Sequence, residues 1–185
     1  MKARRLDLDG SFYDMPFSIR SAHPDECPSL RVIERDAAQR FRTVGLDAVA
    51  DSDTTSEAFL RSVFAHGIVL CAAEADDAPI GFLLAGQLDH ALHLYEISVS
   101  SAYGGQGIGS ALLAAAEDEA RRRGLSRLTL ATFRDVPWNR PFYERRGFAE
   151  VLVDDWTPAF FLLQAGEELS GLPLDNRLFM RKELG

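Results

Sequence analysis

The chain has 185 residues, 46% of them hydrophobic, enough to bury one substantial core, so a single domain over 1–185 is expected, with 1–15 as a flexible N-terminal segment. A formal net charge of -8 works against a nucleic-acid partner, because phosphate binding depends on clustered Lys and Arg. The absence of a run of about eighteen apolar residues, and of a signal-type segment near the start, predicts a cytoplasmic protein without a membrane partner.

Along the chain, Phe17 to Ser21 alternates like a short strand, and His23-Pro24-Asp25 opens a predicted helix to about Phe41 with Leu30, Ile33, Ala37 and Phe41 on one face. Cys27 falls in that helix and Cys71 in a later strand. Without CxxC spacing they suggest neither a disulfide framework nor a zinc cluster. A second helix is predicted over Thr54 to Ala65. Three strand-like runs follow, Ile68 to Glu74, Ile80 to Leu88 and Leu92 to Val99, and the short polar turns between them predict antiparallel hairpins.

At Ser100 the pattern changes. A glycine-rich loop leads into a predicted helix from about Gly107 to Arg123, with Ala111, Leu112, Ala115 and Ala120 at helical spacing and Gly124 as a left-handed cap. A strand over Leu128 to Phe133, a short helix over Trp138 to Arg146 and a strand over Phe148 to Val153 suggest a locally parallel pairing. The tail reads as a helix near Pro158 to Leu169 and a last strand around Arg177 to Glu183. The fold class expected is α/β (α+β), with a central mixed, mostly antiparallel sheet flanked by helices.

The most informative segment is YEISVSSAYGGQGIGSALL, where a strand runs into Gly104, Gly105, Gly107 and Gly109 and then into a helix. Glycines let successive N–H groups converge on one point, at the positive end of the following helix dipole, which suits a phosphate or pyrophosphate. The plainer alternative is a tight strand-to-helix turn that needs positive φ. A Walker loop is disfavoured because Gly109 is followed by Ser110 and Ala111 with no lysine. A dinucleotide fingerprint is disfavoured because the third glycine is missing and no acidic residue ends the next strand at Phe133.

The stretch resembles motif A of the GNAT (GCN5-related N-acetyltransferase) superfamily, E-x-x-V followed by [QR]-x-x-G-x-[GA] and an aliphatic helix, with Glu96 to Val99, Gly104 to Gly109 and Ala111 to Leu113 in those places. Gly104 departs from it, standing where Gln or Arg is usual, so one side-chain contact to the phosphate or loop is missing while the backbone cradle remains. Downstream, NRPFYERRGF from Asn139 to Phe148 resembles the family's next signature, about thirty residues on.

The resemblance implies a GNAT-like fold and acetyl-CoA, or another acyl-CoA, as co-substrate, with no metal. It implies that Ile97, Ser98 and Val99 pair with the pantetheine arm, and that Gly104, Gly105, Gln106, Gly107, Ile108, Gly109 and Ser110 cradle the pyrophosphate. Asn139 would contact the cofactor and Tyr143 would be the general acid for the departing thiolate. The plainer roles of those two are a helix cap and a core aromatic.

Glu96 shares a strand face with Leu94 and Ser98. A carboxylate there, amid an apolar strand, is a candidate general base, or else merely paired with a neighbouring Arg. His93 is the competing base. Arg134, Arg140, Arg145 and Arg146 read as solvated, a contact with the 3′-phosphate of CoA being the alternative, and Trp138, Trp156, Phe160 and Phe161 as core or as an acceptor-pocket wall.

Two functions stand side by side: transfer of the acyl group to a primary amine of a small molecule or to a protein amino group, and a non-catalytic acyl-CoA-binding module. Asp154 to Asn176 is read either as closing the acceptor site or as an interface, a homodimer among the possibilities.

Overall fold

The computed structural model describes residues 2–6 and 12–185. They form two compact units, Met1–Ala85 with Glu96–Asp118, and Gly86–Tyr95 with Glu119–Gly185. Residue 1 and residues 7–11 of the segment expected to be flexible lie outside the described residues.

The first unit begins with strands β1 (Lys2–Leu6) and β2 (Phe12–Ser21), which pair antiparallel. Helix α1 (Cys27–Ala38) follows, then α2 (Asp47–Ala50) and α3 (Glu57–His66). The helix expected from His23 to Phe41 is therefore divided, with 3-10 turns at Pro24–Glu26 and Gln39–Val44 on either side of α1. Pro28 lies in the first turn of α1, where its missing N–H costs nothing, and Gly45 closes the second turn at φ 75°. Ser56 caps α3 by accepting the Phe59 N–H at 3.2 Å.

Strand β3 (Ile68–Ala73) is a continuous apolar run buried on both faces, paired antiparallel with β2 and with β4 (Pro79–Leu88). Asp77 takes φ 71° in the turn between β3 and β4, a left-handed position that Asp tolerates. Strand β5 (Ala91–Val99) sends its last four residues, and helix α4 (Ile108–Arg122) its residues to Asp118, into this unit. The core here includes Leu30, Leu60, Phe82, Leu84, Ile108 and Leu112, each at most 1% exposed and each contributing ~2 kcal/mol by burial.

The buried face of α4 is Ile108, Leu112, Leu113, Ala116 and Ala120. It is turned from the expected face: Ala111 and Ala115 are only half-buried, because the bulkier Leu113 takes the core position. Gly124 ends the helix at φ 71°, as its position predicts.

In the second unit, β5 pairs in parallel with β6 (Arg127–Phe133), Leu92 against Leu128, and β6 pairs antiparallel with β8 (Arg177–Glu183) along its whole length. Strand β7 (Ala149–Glu150) is shorter than expected and also pairs with β8. The expected pairing between the strands at 128–133 and 148–153 is thus not formed. Both run antiparallel to β8, which takes the place between them, so their directions agree while their hydrogen bonds go elsewhere.

Between β6 and β7 lies α5 (Arg140–Glu144), and α6 (Pro158–Leu169) precedes β8. Val151, Phe160 and Phe179 form a small core against which Trp156 packs, its Nε1 donating to the Val151 carbonyl at 3.1 Å. Core packing is therefore the role of Trp156 and Phe160. Thr157 Oγ1, at the start of α6, donates to Asp89 Oδ2 at 2.8 Å, and Asp89 itself holds φ 52° in the turn between β4 and β5.

The architecture is mixed α/β, with mostly antiparallel strands flanked by helices, as expected. Among the described residues no helix is long and apolar enough to cross a membrane, and no group of three or more His, Cys, Asp or Glu could hold a metal ion.

Candidate functional site

In the first unit, β5 ends at Val99 and the chain turns through a 3-10 turn, Ser101–Tyr103, before α4 begins at Ile108. Gly105 and Gly107 take φ 78° and 85°, the left-handed region that side chains resist, whereas Gly104 sits at φ -59°, ψ 143°, open to any residue. Gly81 on β4 lets this corner close. A Cβ there would lie 3.1 Å from Ile108 Cγ2 and 3.1 Å from the Ser98 carbonyl oxygen.

The backbone N–H groups of Gly105, Gln106, Gly107, Ile108 and Gly109 donate to no other described residue, while the Ala111 N–H already reaches the Gly107 carbonyl at 3.0 Å. Five consecutive unpaired donors thus lead into the amino end of a 15-residue helix whose first turn carries no acidic residue. Unpaired amides and the helix dipole act together on an anion. This is the donor set that a pyrophosphate needs, so the residues fit a CoA-type group.

Ile97, Ser98 and Val99 stand on the last part of β5 as predicted. Ser98 is 6% exposed, and its Oγ donates to Glu96 Oε1 at 2.7 Å, so the two share one face of the strand. Glu96 is half-buried rather than buried.

His93, the competing base, lies deeper. It is 3% exposed, its Nδ1 is 2.9 Å from Thr129 Oγ1, and burial pushes its pKa down to about 4.

The second unit holds Asn139 and Tyr143. Asn139 occupies the N-cap position of α5, but its side chain makes no capping hydrogen bond; its carbonyl accepts the Phe142 N–H at 2.8 Å instead. The capping role expected of that side chain is not the one found, because φ -101°, ψ -95° is not the extended conformation from which a cap side chain returns to the helix. Tyr143 is 8% exposed, in edge contact with Phe142 and Phe148 at 5.1 and 5.6 Å between ring centroids.

Of the basic side chains, Arg134 makes two hydrogen bonds to Glu150, 3.0 and 2.7 Å, and holds that carboxyl below its usual range. Arg140 pairs with Glu144 at 2.7 Å, and Arg146 lies 3.6 Å over the Phe142 ring. These three are thus engaged within the unit rather than solvated as expected, because carboxylates and an aromatic ring lie within their reach.

One residue near the loop went unpredicted. Asp36, on α1, accepts the Ser101 N–H at 2.7 Å and the Ser100 Oγ–H at 2.9 Å on Oδ2, and the Ser101 Oγ–H at 2.9 Å on Oδ1. No local pattern signals a contact across 65 residues.

The chain matches the acetyltransferase (GNAT) family over residues 30–148, which includes the strand, the glycine loop and α5. Among solved structures it is similar to Ard1 from Thermoplasma volcanium, at 14% identity and a TM-score of 0.68 over 92% of this chain and 99% of that one. It is likewise similar to the ribosomal-protein-S18-alanine N-acetyltransferase of Escherichia coli, at 19% identity, TM-score 0.64, 91% and 94%. A third is N-acetylglutamate synthase from Neisseria gonorrhoeae, solved with coenzyme A and N-acetyl-glutamate, at 18% identity and TM-score 0.69 over 94% of this chain and 36% of that one. The protein belongs to the GNAT acetyltransferase family.

Proposed function

We propose that this chain is a one-domain, acyl-CoA-dependent N-acetyltransferase that passes an acyl group to a primary amine of a small molecule or to a protein amino group by direct attack. The observation that carries the reading is the run of five amides from Gly105 to Gly109 at the start of α4 that donate to no described residue. Coenzyme A is bound in two similar structures, the synthase above and the PaiA N-acetyltransferase of Thermoplasma acidophilum. The synthase and the ribosomal-protein enzyme illustrate the two acceptor classes.

Acyl-CoA supplies the thioester carbonyl. The loop amides hold its pyrophosphate, with Ser110 at the helix start, and the backbone of Ile97 and Val99 pairs with the pantetheine arm as an added strand would. Glu96, aligned by the Ser98 hydrogen bond, takes the proton of the acceptor ammonium directly or through water, so that nitrogen attacks as a neutral amine. Tyr143 gives a proton to the sulfur as the carbon–sulfur bond breaks, the second proton shed by the nitrogen on becoming an amide restores the phenol through water, and Asn139, whose side chain caps nothing, steadies the cofactor.

The second reading, a non-catalytic acyl-CoA-binding module, is favoured by one feature, Gly104 in the place of Gln or Arg. Thermal unfolding with acetyl-CoA, ATP or NAD, followed by CoA release from acetyl-CoA with a panel of amines, separates them. Stabilisation by acetyl-CoA with turnover supports the enzyme, stabilisation without turnover the binding module, and no stabilisation by any acyl-CoA removes both.

A further inference from the structure

The phosphate loop is anchored at its start by a residue from a different element. The 3-10 turn Ser101–Tyr103 is followed by Gly104 and then by the five donor amides, so the path of those amides depends on how that turn is held. Its backbone has three tethers of its own. The Ser100 N–H reaches the Ile80 carbonyl at 2.9 Å, the Tyr103 N–H the Ser100 carbonyl at 2.9 Å, and the Gly104 N–H the Ser101 carbonyl at 3.2 Å.

These tethers do not include the Ser101 N–H, the first donor of the turn. Ser100 is the N-cap residue, the ordinary source of a capping oxygen, but its side chain makes no cap. Its hydroxyl instead donates to Asp36, and the same carboxylate accepts both the Ser101 N–H and the Ser101 hydroxyl. A carboxylate on α1 thus caps a turn 65 residues away, with three hydrogen bonds over two oxygens. The Ser101 N–H is the foremost cause that holds the Asp36 carboxyl below the usual range, so it is ionised at neutral pH. Its hydrogen bonds all go to the turn, so its effect on a ligand must pass through the loop.

We propose that Asp36 is a positioning residue for the phosphate loop, its carboxylate fixing the Ser100–Ser101 turn so that the Gly105–Gly109 amides keep the spacing a pyrophosphate requires. The proposal rests on the reading of that loop as the pyrophosphate site. It assigns to α1 a share in cofactor affinity that does not involve contact with the cofactor.

The test compares two acyl donors in steady-state kinetics, acetyl-CoA and S-acetylpantetheine, which carries the same thioester but no pyrophosphate. Direct CoA binding by calorimetry accompanies it. Asp36→Asn, nearly the same shape but uncharged and able to offer an N–H where two donors converge, should weaken CoA binding and raise KM for acetyl-CoA about tenfold, with kcat within about twofold. Its KM for S-acetylpantetheine should be that of the wild type. Ser101→Ala, which removes one of the three hydrogen bonds, should give a smaller loss, and the double variant less than the product of the two.

Equal losses with both donors would show a general structural defect and overturn the proposal. So would unchanged CoA binding in both single variants. Were the wild-type protein itself to bind no CoA, the reading of the loop would fall first and the proposal with it, an outcome distinct from failure of the variants alone.

Discussion

Ser98 Oγ and Glu96 Oε1 are joined by a 2.7 Å hydrogen bond along one face of β5, two residues apart, so the carboxylate proposed as base is aligned by its own strand. Glu96→Gln should lower kcat about a hundredfold or more, the usual scale of a lost general base, and leave CoA affinity unchanged. Ser98→Ala, which removes this hydrogen bond and keeps the carboxylate, should reduce kcat by about three- to tenfold. Full activity in Glu96→Gln, measured as thiol release, would assign the proton transfer elsewhere.

Gly104 and Gly105 should respond differently to a side chain. At Gly104 a Cβ would meet only the Ser101 carbonyl oxygen, at 3.4 Å, and φ is ordinary. Gly104→Gln or Gly104→Arg should therefore fold with a melting temperature near that of the wild type, and either side chain should tighten CoA binding several-fold. At Gly105 space is open but φ is 78°, so Gly105→Ala should cost about 1 kcal/mol through backbone strain alone. Chemical unfolding and CoA titration of the variants measure both effects.

His93 should make the fold sensitive to acid. Its pKa is about 4 in the folded protein and 6.5 without burial, so between these values the unfolded chain holds the proton and the folded one does not. Stability from this residue is complete above pH 6.5 and declines as pH falls towards 4, by as much as ~3 kcal/mol. Urea unfolding of His93→Leu at pH 7 and pH 4.5 should show a smaller difference than the wild type. An equal difference would place the acid sensitivity in other groups.

Much of the fold was readable from local pattern. Helix α6 and strand β8 have the bounds that their periodicity predicts, and Gly124 takes the left-handed cap that its place after three arginines suggests. Long-range pairing was not readable. Nothing in Ala149–Glu150 or Arg127–Phe133 says that Arg177–Glu183 will lie between them, because register is set by partners remote in sequence. The glycine loop was legible because its geometry is local, and the Asp36 cap was not because half of it is contributed by α1. Asn139 was legible as a helix start, but its side-chain conformation depends on a φ, ψ pair that residue type does not dictate.

The unpaired amides of Gly105 to Gly109 also have a consequence in isotope labelling. Among the described residues these amides have no acceptor, and an N–H in that state exchanges its hydrogen for deuterium at close to the open-chain rate, even in a folded protein. These five positions should therefore label within the earliest time points in the ligand-free protein, beside the slow amides of β3. A pyrophosphate that accepts from them should slow all five together, giving a direct reading of occupancy that requires neither turnover nor knowledge of the acceptor amine.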